Sequence, residues 1–304
     1  MRSPHPPLPE RSAELRRRFA EEARSERPDL ATLCLLVGAV ADGTLDEAGI
    51  DAAQIELDAL AGRLPYRPGT PRAWASALRE LLGERCGFHG TPGDYQRLES
   101  SLLHEVLRRR RGLPILLSVV WLEVARRAGA PVYGVGLPGH FVVGLGEPGT
   151  TADAKPAGAE PDTPGGAAPE RQVLVDPFEG GRVLTGADTE LLVVGATGAP
   201  LDPSMLAPAD PLNVVLRVLN NVRAWAEARP ERSDVALWAL DLSLLLPSRP
   251  AELRYERARL LVRRGDFLDG ADELEAYAET VAAVDGPAAE RIRGEARAAR
   301  ALLN

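Results

Sequence analysis

Between Leu113 and Ala128 the chain carries Ile115, Leu116, Leu117, Val119, Val120, Trp121, Leu122 and Val124, which makes the segment apolar on nearly every face of a helix. A helix without a polar face cannot rest at a surface, so the rest of the fold has to enclose it. Pro114 suits its first turn, where a missing N–H costs nothing. Gly129 supplies the stop.

Beyond the central helix the chain is strand-like. Val132 to Gly136, His140 to Leu145 and Gln172 to Asp176 are short, β-branched and bounded by turn residues. Between the last two, Glu147 to Glu170 is rich in Pro, Gly, Ala and Thr, and residues 147–171 are expected to form a flexible loop with nothing to bury. One buried helix beside a few short strands gives an α+β core, placed at residues 98–206.

The flanks read as helical. Residues 1–11 are Pro-rich and are expected to be a flexible N-terminus; residues 12–97 form an N-terminal helical segment. In it, Leu15, Phe19 and Ala20, then Leu33, Leu36 and Val40, then Ile50, Ile55, Leu57 and Leu60 recur at helical spacing, and a further helix spans Pro71 to Arg85. After Ala207-Pro208, residues 207–304 contain only helices, at Leu212–Ala228, Asp234–Leu246, Ala251–Arg264 and Phe267–Ala282. Ala236 and Ala271 lie 35 residues apart, close to the period of about 34 of tetratricopeptide helix pairs. The turn Gly265-Asp266 before Phe267 fits such a pair, so the segment is expected to be a tetratricopeptide-like module of two degenerate units, with a generic helical bundle as the alternative.

Charge and cysteine content exclude several functions. The formal net charge is -8, which gives no electrostatic support for nucleic-acid or anionic-membrane binding. No apolar run approaches the roughly 18 residues of a membrane span, and no signal-peptide pattern opens the chain, so a cytoplasmic protein is expected. The two cysteines, Cys34 and Cys86, show neither a disulfide framework nor metal-ligand spacing, and no cofactor or metal is expected. Cys34, between Leu33 and Leu35, reads as a core thiol. Cys86 precedes Gly87 at a helix end, a poor place for a displaced nucleophile.

Four stretches carry the candidate chemistry: Ser100-Ser101-Leu102-Leu103, Arg111 through Ser118, Pro138-Gly139-His140-Phe141, and Val175-Asp176-Pro177-Phe178-Glu179-Gly180-Gly181. Helix entry, then His on a strand, then Asp on the next strand is the chain order of a papain- or transglutaminase-type triad. His140 is expected to hydrogen-bond Asp176, as a working dyad or as a lock between strands. Asp176 could instead cap the turn at Pro177, a common task for Asp before Pro. Ser118, one turn below Pro114, either faces His140 as an oxygen nucleophile or bonds back to its own helix. Ser100 and Ser101 have N-cap chemistry for the helix to Arg109, and Ser101 is also a candidate for the cleft. The run Arg108–Arg111 is a solvated helix end or a small anion site beside the cleft.

Together these motifs resemble the SirB-type transglutaminase-like family, with its GxPxxLS helix entry, PGHF strand and DPFxGG strand. The resemblance extends over nearly the whole chain, although Ser100 and the long loop before Gln172 depart from the family pattern. It implies a transglutaminase/papain-like core, a buried central helix on a small antiparallel sheet, with N-terminal helices and a C-terminal all-α tetratricopeptide-like module. In catalytic members of the wider superfamily a cysteine stands at the N-terminus of the central helix, where amides and dipole stabilise a thiolate. Here Pro114 takes that place, so the resemblance implies a vacated nucleophile position beside His140 and Asp176. The expected function is a non-catalytic scaffold or regulatory protein that binds a peptide or protein partner. The alternative is a hydrolase or amide-processing enzyme that uses His140 and Asp176 with water or Ser118.

Overall fold

The computed structural model describes residues 4–65, 69–148, 171–247 and 250–303; the loop expected at 147–171 falls almost wholly outside them. Three helices open the chain: α1 (Pro9–Ala23), α2 (Leu30–Ala41) and α3 (Glu47–Ala61). Helix α1 begins ahead of Ser12, and His5 O accepts a hydrogen bond from Gly43 N–H. Asp29 and Asp46 cap α2 and α3 by accepting from Thr32 N–H and Gly49 N–H. Ile55, assigned by spacing to the buried face of α3, is 66% exposed; Ile50, Leu57 and Leu60 carry the packing instead.

The helix expected over Pro71–Arg85 is two pieces, α4 (Pro71–Leu78) and a wider π turn over Arg79–Arg85. Two 3₁₀ turns come next, Pro92–Gln96 and Leu98–Ser101, and then the short α5 (Leu103–Arg109). Neither Ser100 nor Ser101 caps α5. Its N-cap is Leu102, without a side-chain hydrogen bond, because both serines lie in the preceding turn.

Helix α6 (Pro114–Arg127) is the central helix, buried from Ile115 through Ala125. Its two buried polar residues are compensated. Ser118 Oγ donates to Phe141 O at 3.1 Å, and Glu123, 3% exposed, accepts from Arg126 and Arg127 at 2.7 Å each.

The sheet is a four-stranded antiparallel meander in chain order: β1 (Val132–Val135), β2 (Val142–Gly146), β3 (Gln172–Asp176) and β4 (Arg182–Leu184). The side-chain period of two divides it cleanly. Phe141, Val143, Leu145, Val173 and Val175 join the main core with α6; Val135, Leu137, Val142, Leu174 and Leu184 form a second layer with Val193 of α7 (Gly186–Thr197). His140 and Gly136 lie outside the strands, in the turn between β1 and β2.

The C-terminal part is α8 (Pro211–Glu227), α9 (Ser233–Leu245), α10 (Glu252–Arg264), α11 (Phe267–Ala282) and α12 (Gly286–Ala301). Helices α8 and α9 contribute Val214, Val218, Val222, Trp238 and Leu242 to the main core. The last three helices share a separate core of small residues, among them Ala258, Ala271, Ala278, Ala289 and Ala296. Gly270 permits their close approach: a Cβ there would lie 2.6 Å from Val262 Cγ2 and 3.0 Å from Ala258 O.

Candidate functional site

One end of α6 and one end of the sheet meet at the candidate site. Gly112 is required at the entry, since a Cβ would lie 2.6 Å from Val106 Cγ2. Leu113 N–H donates to Ser100 O at 2.9 Å, which ties the entry to the 3₁₀ turn before α5. Leu113 is the N-cap, extended and without a side-chain cap, and Pro114 opens the helix. The first intrahelical bond is Leu117 N–H to Leu113 O, and among the described residues no side-chain cap covers the amides of the first turn. Ser118, one turn on, is 0% exposed and its hydroxyl is engaged by Phe141 O. It fastens α6 to the start of β2, which is neither of the roles expected for it. Ser101 is 1% exposed, and its Oγ has no hydrogen-bond partner among the described residues.

Asp176 closes β3 at the same end. Its Oδ1 accepts from Phe178 N–H at 2.8 Å, and its carbonyl accepts from Gly181 N–H at 2.8 Å. Asp176 therefore does cap the turn at Pro177, a 3₁₀ turn over Pro177–Glu179. Two glycines from the N-terminal segment fit this turn: a Cβ on Gly83 would overlap Gly180 O, and a Cβ on Gly90 would overlap the Phe178 ring. Gly90 N–H also donates to Phe178 O at 2.9 Å. Trp121 of α6 comes up against the turn at Gly181, and its buried Nε1 has no partner among the described residues.

His140 is brought to this end by the turn Leu137–His140, closed by His140 N–H to Leu137 O at 3.1 Å with Gly139 at φ 70°. The expected hydrogen bond to Asp176 is not made. Among the described residues no hydrogen bond or ion pair joins the two: Asp176 Oδ1 accepts from Phe178 N–H, and His140 Nδ1 is buried without a partner. Burial pushes the Asp176 carboxyl above its ordinary range and Glu179 adds to this; the Phe178 and Glu179 amides and His140 oppose it.

Tyr95, which sequence reasoning passed over, belongs to the same neighbourhood. Its ring stands edge-on to Phe178 at 6.2 Å, and burial and then the Asp176 charge raise its phenol pKa. Its only signal in the sequence was an exposed-looking aromatic in a Gly/Pro-rich turn.

The arginine run is not a free anion site. Arg109 and Arg111 both pair with Asp94, 1% exposed, at 3.4 and 3.0 Å; Arg108 pairs with Glu105 and Arg110 with Glu56. Cys34 lies in the core of α2, where burial pushes its thiol pKa upward. Cys86 Sγ lies 3.5 Å from Arg63 Nη1, and no described hydrogen bond joins it to His140 or Asp176. No cluster of three His, Cys, Asp or Glu able to hold a metal occurs among the described residues. None of the described helices is long and apolar enough to cross a membrane. A cavity of about 320 Å³ opens elsewhere, at the β1 edge, with Arg27, Glu123, Arg126 and Tyr133 in its lining.

A buried helix with an uncapped N-terminus, set against a small antiparallel sheet that presents His and Asp at that end, is the framework of one class of proteins. Residues 51–220 match the model of the transglutaminase-like superfamily, and the chain belongs to it. Residues 222–304 match a tetratricopeptide repeat model, in agreement with the all-helical C-terminal part. The chain is similar to a UPF0162 protein of Xylella fastidiosa (strain Temecula1), 30% identical over 208 residues, which is 66% of either chain. A UPF0162 protein of Vibrio cholerae is 27% identical over 60% of this chain and 61% of its own. Human F-box only protein 21 is 25% identical over 62% of this chain but only 28% of its own. In each case the match spans less than two thirds of the relative's length.

Proposed function

We propose that this protein is a transglutaminase-like chain of the SirB-type branch without a nucleophile, and that it binds a peptide or protein partner at the end of α6. The reading rests chiefly on Pro114 at the first position of α6, where a helix N-terminus would otherwise activate a thiol. Neither thiol supplies a substitute: Cys34 is sealed in the core, and Cys86 has no described bond to His140 or Asp176. The repeat helices add a second surface of the kind that binds proteins.

The unpartnered His140 Nδ1 and the desolvated Asp176 carboxyl are the polar groups that this end of α6 would offer such a partner. They also favour a second reading, in which the pair moves a proton for water attack on an amide. Site-specific photocrosslinking decides between the two readings. A benzophenone amino acid at Tyr95 captures one partner in cells on the binding reading, and the capture is lost with His140→Ala. Turnover of amide or ester substrates by the purified chain, abolished by His140→Ala, supports the enzyme. Inactivation by a thiol alkylator mapped to Cys86 without unfolding would overturn the reading of a chain without a nucleophile.

A further inference from the structure

Arg217, in the middle of α8, is a half-buried cation without a counter-charge: among the described residues no carboxylate pairs with it. Its partners are backbone carbonyls. Nη2 donates to His140 O at 2.8 Å and to Leu137 O at 3.3 Å, the two ends of the turn that presents His140. The guanidinium carbon lies 5.3 Å from the centre of the Phe141 ring, and a Cβ on Gly136 would stand 2.8 Å from Nη1. One planar group thus touches the turn before, at and after the imidazole. Taking a cation out of water is costly, and only well-directed dipoles offset it. Here the dipoles that do so are the two carbonyls of the turn.

We propose that Arg217 is the positioning residue of the His140 site: its guanidinium fixes both carbonyls of the Leu137–His140 turn and so sets where the imidazole is presented. Arginine suits this task because one nitrogen, Nη2, reaches both carbonyls while the planar guanidinium also lies over the Phe141 ring, a ring contact that an ammonium does not reproduce. Helix α8 leads directly into the repeat match that begins at residue 222, so the imidazole is held from the helix that enters the repeat module. His140 is held in this way whether the site binds or reacts. The test can therefore fail or succeed independently of the proposed function.

The probe is diethyl pyrocarbonate, with the carbethoxylation rate of each histidine followed by peptide mass spectrometry in the full chain. His89 and His104 are controls in the same molecule. With Arg217→Gln the His140 rate is expected to change by about 10-fold, the scale of losing a charge-assisted bond from a local opening, while the two control rates hold. Arg217→Lys, which keeps the charge but loses the planar guanidinium, is expected to fall between wild type and Arg217→Gln. An unchanged His140 rate in a folded Arg217→Gln protein overturns the proposal. So does a rise at all three histidines together, which is general loosening. Should Arg217→Gln fail to fold, the lysine variant decides alone: a His140 rate equal to wild type refutes the assignment.

Discussion

Replacing Pro114 by cysteine rebuilds the arrangement that the fold was read to have lost. Position 114 is the first residue of α6, the helix runs to Arg127, and Leu113 covers no amide with its side chain. A thiolate there would face the uncovered first-turn amides and the positive end of a buried dipole. Such placements favour an anion by about 0.3–1 kcal/mol at exposed sites and up to ~2 kcal/mol when partly buried. At ~1.4 kcal/mol per pKa unit, the thiol should fall by about one unit from the ordinary value near 8.5. The thiolate fraction at pH 7 then rises from about 3% to about 25%, and the lower intrinsic nucleophilicity takes back a factor of ~3, which leaves a net gain of roughly threefold. The backbone cost is small: losing proline frees the unfolded chain by about 0.4–1 kcal/mol. Iodoacetamide labelling of Pro114→Cys against pH, read peptide by peptide, gives the titration of the introduced thiol beside those of Cys34 and Cys86 in one sample. The rate at position 114 should exceed both, and His140→Ala should reduce it if the imidazole faces the helix end. A folded variant whose introduced thiol titrates near 8.5 would refute the superposition and the vacated-site reading with it.

Contacts around the site and in the N-terminal helices set three further outcomes. Gly90→Ala should displace the Pro177–Glu179 turn, since the new Cβ overlaps the Phe178 ring; overpacking of this kind costs about 1–3 kcal/mol, read as a lower urea midpoint. Ser118→Ala should cost about 1–2 kcal/mol by leaving Phe141 O without its buried donor, yet leave photocrosslinking at position 95 intact. A loss of crosslinking in a folded Ser118→Ala protein would make Ser118 a site residue after all. The His104 imidazole, Nε2 at 4.0 Å from Oδ2, together with the Thr44 amide and hydroxyl, holds the Asp42 carboxyl down at about 2. A depressed acid stabilises the fold above its unfolded pKa, and that stability is lost as pH falls from about 4 toward 2. Asp42→Asn should flatten this acid limb by no more than about 1 kcal/mol after screening, and an unaltered limb would show that the pair carries no stability.

The sequence made legible whatever depended on periodicity or on backbone chemistry. Helix α6 announced itself because no polar face interrupts Ile115–Val124, and burial on all sides is the physical meaning of that pattern. Gly265 at φ 92° and Asp266 punctuated α10 and α11 as expected. Helix α12 was missed because its buried stripe is Ala289, Ile292, Ala296 and Ala299 among arginines, a pattern with almost no hydropathy contrast. Helix α7 was missed although Thr185 and Asp188 form a capping box before it; its Leu-Leu-Val-Val run has no clear period. Strand β4 is three residues long and pairs only because the Gly180-Gly181 turn returns the chain to β3. At the site the order of motifs put His140 and Asp176 at the same end of the sheet. It could not choose between a pairing and a cap, since Asp before Pro serves either, and the nearer amide of Phe178 took the oxygen. Arg217 lies 77 residues from His140, and no local pattern links them.

Asp176 has a consequence for stability opposite to that of Asp42. Burial leads among the causes that raise its pKa, so the fold favours the protonated carboxyl over the charged one. For an acid raised in the native state, the fold gains most below the unfolded pKa and weakens as pH climbs through the folded one. At neutral pH the carboxylate is therefore a net liability, with no cation bonded to it among the described residues. Asp176→Asn removes the charge and keeps Oδ1 as acceptor for Phe178 N–H, so the cap at 2.8 Å survives. The urea midpoint at pH 7 should rise above wild type, and the two proteins should converge as pH falls below about 4, where the aspartate is protonated in both states. If the carboxylate serves the site, the stabilised variant should lose the crosslink at position 95. A variant stabilised and still fully competent would leave Asp176 with no part beyond holding the turn. A variant destabilised at pH 7 would mean that a cation or donor compensates the carboxylate in solution, and the desolvated charge could not then be what a ligand meets.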